Sequence, residues 1–201
     1  MAFNVNTFRT NMAGDGARPN LFEVRLIVPV ANLTVEEFTF KCKAAQIPGE
    51  TIGVVTVPYF GREVKFAGNR TFADWTVTVI NDEDFRVRKG FERWMERING
   101  HVDNVRNSGF VTPQSYVGQA TVLQYKKDGT SPFNLQYNFK DIFCTDISAI
   151  DLDWGSNDAI EEFTVNFSYS YWTSTENKGN DQATATANAP AARAPNQIVT
   201  G

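Results

Sequence analysis

Histidine is almost missing: His101 is the only one in 201 residues. An imidazole-based metal cage or catalytic triad therefore has one candidate, and it sits in a polar loop just after a helical stretch, where an ordinary surface role is expected. Cysteine is nearly as scarce. Cys42 and Cys144 lie about a hundred residues apart, each inside a strand-like run. Two buried free thiols are expected rather than a disulfide, and two thiols with one histidine are too few for a zinc site. Positive charge is not in excess. The 19 Lys and Arg stand against 23 Asp and Glu, a net charge of -4, which argues against a reader of duplex DNA. No run of 18 apolar residues offers a membrane-spanning helix. The first twenty residues show no basic segment followed by a long apolar stretch, so no secretory signal is expected. GxGxxG, Walker A and CxxC patterns do not occur.

What is present is strand periodicity. Hydrophobic residues make up 42% and aromatics 13% of the chain, ample for a packed core. In LFEVRLIV, Phe22, Val24, Leu26 and Val28 share one face. VEEFTFKC predicts a second strand with Phe38, Phe40 and Cys42 on one face. TIGVVTVPYFGREVKFAG predicts a hairpin with Pro58 and Gly61 near its tip. DWTVTVI sets Trp75, Val77 and Val79 against Thr76 and Thr78. QATVLQY and FNLQYNF flank Lys126-Lys127-Asp128-Gly129, a turn signal, and DIFCTDI predicts a further strand. In EFTVNFSYSYW, Phe163, Val165, Phe167, Tyr169 and Tyr171 alternate with Thr164, Asn166, Ser168 and Ser170. A single helix is predicted. Asn81, Asp82, Glu83 and Asp84 supply its capping oxygens, and Val87, Phe91, Trp94, Met95 and Ile98 form its apolar stripe. The sequence thus predicts a mainly β protein, an antiparallel β-sandwich or barrel-like protomer with one flanking amphipathic helix. Residues 1–17 form an irregular arm, 18–173 the β domain, and 174–201 an Ala-, Thr-, Asn- and Pro-rich extension.

Chemistry finds little foothold. Asp151 to Glu162 is spaced like a calcium loop, but Gly155 and Ser156 occupy its fifth and sixth places, and a plain turn is expected. The carboxylates 82–84 suit a helix start, and the basic residues 86, 88, 89 and 93 interleave with Glu92 and Glu96 on a solvated face. No catalytic residue, metal or cofactor is expected. The polar strand faces carry more information. Asp74, Thr76 and Thr78, with Thr164, Asn166, Ser168 and Ser170, are short and free of Lys and Arg. Such faces suit an ordinary wet surface or the wall of a water-filled passage built from many chains. The hairpin is apolar beyond what an isolated one should expose, through Ile52, Val54, Val55, Val57, Tyr59 and Phe60.

Several of these strings resemble the tail tube proteins of contractile-tailed bacteriophages. They are Ala17-Arg-Pro-Asn-Leu-Phe-Glu-Val24, Phe38-Thr-Phe-Lys-Cys-Lys-Ala44 with Ile47-Pro-Gly49, and Ala67-Gly-Asn-Arg-Thr-Phe-Ala-Asp-Trp-Thr-Val-Thr-Val79 with Asn81-Asp-Glu83. Leu152-Asp-Trp154, Ser156-Asn157, Ile160 and the strand ending at Tyr171-Trp172 continue the likeness, which runs in order over roughly 17–172. The resemblance implies six protomers to a ring, stacked rings, and inner strands joined into one β-barrel bore that conducts genomic DNA into the host. It implies a sheath protein outside, a tape-measure protein in the bore during assembly, baseplate and tail terminator proteins at the ends, no membrane partner, and a place in the virion tail after assembly in the host cytoplasm. The seven polar residues above become candidate lumen residues, and the six apolar ones candidate inter-subunit contacts. A bacterial phage-tail-like injection or secretion apparatus would use a similar tube protein. The chain departs from the family pattern in continuing nearly thirty residues beyond Tyr171-Trp172.

Overall fold

Alternation of β-branched and aromatic residues with short polar ones builds most of the molecule. The computed structural model describes residues 5–12, 16–30, 38–39, 41–127 and 135–175. Its strands are β1 (Phe22–Ile27), β2 (Cys42–Ala45), β3 (Glu50–Tyr59), β4 (Arg62–Phe72), β5 (Trp75–Ile80), β6 (Gly118–Gln124), β7 (Leu135–Ile147), β8 (Glu162–Ser168) and β9 (Tyr171–Ser174). Seven of them make one antiparallel sheet in the order β1-β6-β7-β8-β5-β2, with β9 also on β7, while β3 and β4 stand apart as a two-stranded sheet. The larger sheet folds over on itself. Val24 and Leu26 of β1, Val122 of β6 and Phe139 of β7 meet Trp75, Val77 and Val79 of β5 and Phe163, Val165 and Phe167 of β8 in one core. The Trp75 ring stacks on Phe139 with centroids 4.5 Å apart and lies 5.6 Å from Phe167. This is the expected sandwich- or barrel-like protomer.

The expected amphipathic helix spans Arg86–Ile98 (α2; α1 is Val5–Asn11). Val87, Gly90, Phe91 and Trp94 are buried, and Met95 and Ile98 pack partly buried against the core. Phe91 meets Phe38 and Phe167 edge-on, and Trp94 Nε1 donates to the Tyr116 carbonyl at 2.8 Å. Of the four expected capping residues, Asp82 does the work. It accepts from the Arg86 N–H at 3.1 Å and from Lys41 Nζ, placing negative charge where the first turn has unpaired donors.

Several expectations need correction. The predicted strand at VEEFTFKC is not one: Phe38, Thr39 and Lys41 are helical and strand starts only at Cys42. The residues 38 and 42 that share a strand face also share a helix face four apart, and fully buried Phe38 is satisfied by the ring of Phe91; the segment 31–37 and residue 40 lie outside the described residues. FNLQYNF and DIFCTDI are not two strands. From Leu135 on they are halves of β7, which bends where Asp141 adopts φ 56°; Phe133 and Asn134 lie outside the described residues. The last strand, conversely, breaks at Tyr169-Ser170 into β8 and β9. The break reverses the alternation, so Trp172 packs inward and Tyr171 is exposed. The arm is not wholly irregular, since Val5–Asn11 is helical with no buried residue. The polar stretch 100–117 holds a 3-10 turn at Ser108–Phe110, which buries Phe110, and a short helix at Pro113–Tyr116. The Lys126-Lys127 turn continues into residues 128–134, outside the described residues. So do 176–201.

Candidate functional site

The hairpin β3–β4 is the first unusual surface. Tyr59 pairs with Arg62 across a two-residue turn at Phe60-Gly61, whose φ values of 45° and 76° are those of a type I′ turn, matched to strand twist. A bulge near Gly53 sets two β4 residues against one. Gly68 is needed there, because a Cβ on it would lie 3.0 Å from the Gly53 carbonyl oxygen. Above the bulge one face carries Val55, Val57 and Tyr59 beside Phe66, Val64 and Arg62, while the other carries Val54, Thr56 and Pro58 beside Ala67, Lys65 and Glu63. Every β3 residue is exposed, Tyr59 at 65%, and Phe66 of β4 is exposed at 55%. The six apolar candidates therefore divide. Val55, Val57 and Tyr59 share the apolar face; Ile52 and Val54 lie on the other; Phe60 occupies the turn, 91% exposed. Val64 and Phe66 belong to the apolar face and escaped sequence reasoning. Counting outward from the turn would have found them, since they stand opposite Val57 and Val55. At its root the hairpin is anchored to the body by Phe72, whose ring lies 6.0 Å from Tyr169 and 6.5 Å from Trp172, and its own two strands are tied there by Arg70 on Glu50 at 2.8 Å.

The second surface is the outward face of the β2-β5-β8-β7 portion of the large sheet. Thr76 pairs with Asn166 and Thr78 with Thr164, flanked by Ala44 and Asp146. The side chains form a lattice. Thr76 Oγ1 donates to Asn166 Oδ1 at 2.6 Å, Asn166 Nδ2 to Asp146 Oδ2 at 3.4 Å, and the Thr164 N–H to Ser148 Oγ at 2.9 Å. Ser168 continues the row in β8. Asp74 and Ser170 flank it outside the regular strands. Asp74 precedes β5, and Ser170 lies in the β8–β9 break, where its N–H donates to the Lys140 carbonyl. Lys43, on the β2 bulge at the margin of this face, is neutralised by Glu162 at 2.5 Å. The outward face of the other half of the sheet is different. It carries Arg25, paired with Glu23 at 2.5 Å, and the longer Gln119 and Lys140 beside Thr121 and Asn138. The wall of shorter side chains is thus the β5–β8 one.

Groups with reactive potential are quiet. His101 is exposed in a turn. Cys42 and Cys144 are free, and burial pushes both thiols up to about 12, so neither is a ready nucleophile. Among the described residues no group of His, Cys, Asp or Glu is placed to hold a metal ion, and no helix is long and apolar enough to cross a membrane.

A family model described as "phage tail tube protein" matches residues 17–175. The tail tube protein gp19 of Enterobacteria phage T4 is 34% identical over 160 residues, covering 80% of this chain and 93% of that protein. The tail tube protein of Serratia phage KSP90 is 25% identical over 170 residues, 82% of this chain and 93% of that one. Among solved structures, the sheath/tube terminator structure of an extracellular contractile injection system superposes with a TM-score of 0.59 at 10% identity, over 80% of this chain and 96% of the matched one. The anti-feeding prophage baseplate gives 0.57 at 11%, over 79% and 95%. At such identities these two likenesses are of fold.

Proposed function

The chain belongs to the phage tail tube protein family, and from that premise we propose that six copies close into a ring, that rings stack into the inner tube of the virion tail, and that the β5–β8 outward face lines the bore through which DNA passes. The observation that carries this reading is the wall chemistry. Thr76, Thr78, Thr164, Asn166 and Ser168 keep water at the surface, and Asp146 tips the charge negative while Lys43 is matched by Glu162. DNA must slide without being gripped. A free cation on the wall would recur in every copy, and even a weak phosphate contact would sum along the tube.

The apolar face of the hairpin is the contact with a neighbouring protomer, in the adjacent ring. Ile52, Val54 and Phe60 flank it. The short strand β2 stands at one edge of the sheet order, an edge that a neighbouring protomer closes on assembly. A sheath protein wraps the tube, a tape-measure protein occupies it during assembly, and baseplate and terminator proteins bound its ends. The role is structural and involves no catalysis. A tube in a bacterial injection apparatus is the second reading; the 34% identity to a phage protein against 10–11% to the injection-system structures favours the first. Electron microscopy of the purified full chain tests the proposal: six-fold rings or tubes are expected, and a chain that stays monomeric at high concentration overturns it.

A further inference from the structure

The loop between β7 and β8 is apolar and acidic at once. Trp154 is 101% exposed, with Leu152 and Ile160 nearly as bare. From residue 148 to 161 the loop carries four carboxylates, Asp151, Asp153, Asp158 and Glu161, and no lysine or arginine. The base of the loop is anchored. The Asn81 N–H and Nδ2 both donate to Glu161 at 2.9 Å, and Arg88 Nη1 donates to the Ser148 carbonyl at 3.0 Å. Between base and tip opens a cavity of about 480 Å³, walled by Leu152, Trp154 and Ile160 together with Asp151, Asp153 and Glu161. Apolar walls with carboxylates suit a side chain with an aliphatic stem and a cationic head, and an exposed indole face attracts the same head.

The opposite end of the protomer supplies such heads. β7 runs from Leu135, beside the end of β6, to Ile147, at the start of this loop. At the β6 end, the Gln124 side chain donates to the Arg18 carbonyl at 2.6 Å and the Tyr125 N–H to the Leu21 carbonyl at 2.9 Å. These bonds bring exposed Arg18 to the same end as exposed Lys126 and Lys127. The protomer is therefore charged oppositely at the two ends of its longest strand. We infer that the acidic, tryptophan-bearing loop of one copy receives the Arg18/Lys126 end of a second copy, a head-to-tail contact. A heterologous contact of this kind propagates rather than closing on a dimer, which gives a stack its direction. The inference rests on the stacked-tube reading.

Two measurements test it. Carbodiimide treatment of isotope-mixed assembled full chain is expected to join Asp151 or Asp153 of one copy to Lys126 or Lys127 of another, read by mass spectrometry. Then D151K/D153K and R18E/K126E, each with wild-type circular dichroism, are each expected to lower the pelletable assembled fraction at least tenfold. The chain carrying all four changes is expected to recover to within about twofold of wild type, since complementarity is restored with reversed sign. Normal assembly by either pair alone, or tubes without the cross-link, overturns the inference and assigns the loop to some other basic partner. Tubes from wild type would still uphold the tube reading in that case, whereas a wild-type chain that makes neither tube nor cross-link overturns both.

Discussion

The folded sheet and the hairpin are written in the same alphabet and end in opposite circumstances. Trp75, Val77 and Val79 alternate with threonines and are buried; Val55, Val57 and Tyr59 alternate with Val54, Thr56 and Pro58 and are exposed. Alternation reports a face that needs cover, not where the cover comes from. The body covers its own apolar face because β7 bends at Asp141 and carries one half of the sheet over the other, with α2 packed along it. Among the described residues none covers Val57 or Phe66, and the cover proposed for this face is another protomer.

The sharpest way to break this contrast is to cut apolar groups from both regions. Phe167→Ala, in the core against Trp75, Phe91 and Trp94, is expected to cost about 3–5 kcal/mol of folding stability, read as a drop in urea midpoint. Tyr59→Ser with Phe66→Ser is expected to leave the midpoint of the protomer within about 0.5 kcal/mol and yet abolish tubes, since each ring contributes about 1–2 kcal/mol to every contact. Ile52→Ser with Val54→Ser, on the other hairpin face, should weaken assembly less. Equal loss from both hairpin variants would show that the two faces are not distinct in function.

The next test divides the body rather than the hairpin. Thr78→Lys with Ser168→Lys adds cations to the proposed bore wall. Particles are expected to assemble and contract but deliver DNA poorly, with the defect relieved at high salt. Thr121→Lys on the outward face of the β1-β6-β7 half, already bearing Arg25 and Lys140, should leave delivery unchanged. Reversed outcomes would exchange the two walls.

Much of the body was legible because burial on one side only leaves a clean period of two, as at Val24/Leu26 and Phe163/Val165/Phe167. Phe38 misled because positions four apart share a face in a helix as well as in a strand. Lys140-Asp141 disguised one long strand as two, since a charged pair between two alternating runs reads as a break. At the candidate site, the polar residues of β5 and β8 were legible from the same alternation. The hairpin was legible as an excursion but not as two faces. Arg62, Glu63 and Lys65 interrupt the apolar sequence around Val64, and the division depends on cross-strand register and a bulge that composition does not reveal. The β7–β8 loop carries no periodicity at all, and only its position opposite the basic end gives its charges meaning.

The smallest expected effect separates the two regions by pH. In the body, burial raises the Asp82 pKa, but the Lys41 ammonium and the Arg86 N–H outweigh it and hold the carboxyl below its ordinary value. A carboxylate whose folded pKa is depressed stabilises the fold above its unfolded pKa, and that contribution is lost as pH falls through the folded value. Asp82→Asn is therefore expected to cost about 0.5–1 kcal/mol at neutral pH, with the gap to wild type closing below about pH 4. The Glu50–Arg70 pair at the hairpin root is more exposed, its side chains 33% and 45% accessible, and exposed pairs contribute little. Glu50→Gln should thus shift the urea midpoint of the protomer hardly at all at either pH. A cost for Asp82→Asn that persists unchanged at pH 2 would mean that the side chain acts through its hydrogen-bonding shape rather than its charge. A large cost for Glu50→Gln would mean that the pairing of β3 with β4 at the hairpin root supports the protomer more strongly than its exposure implies.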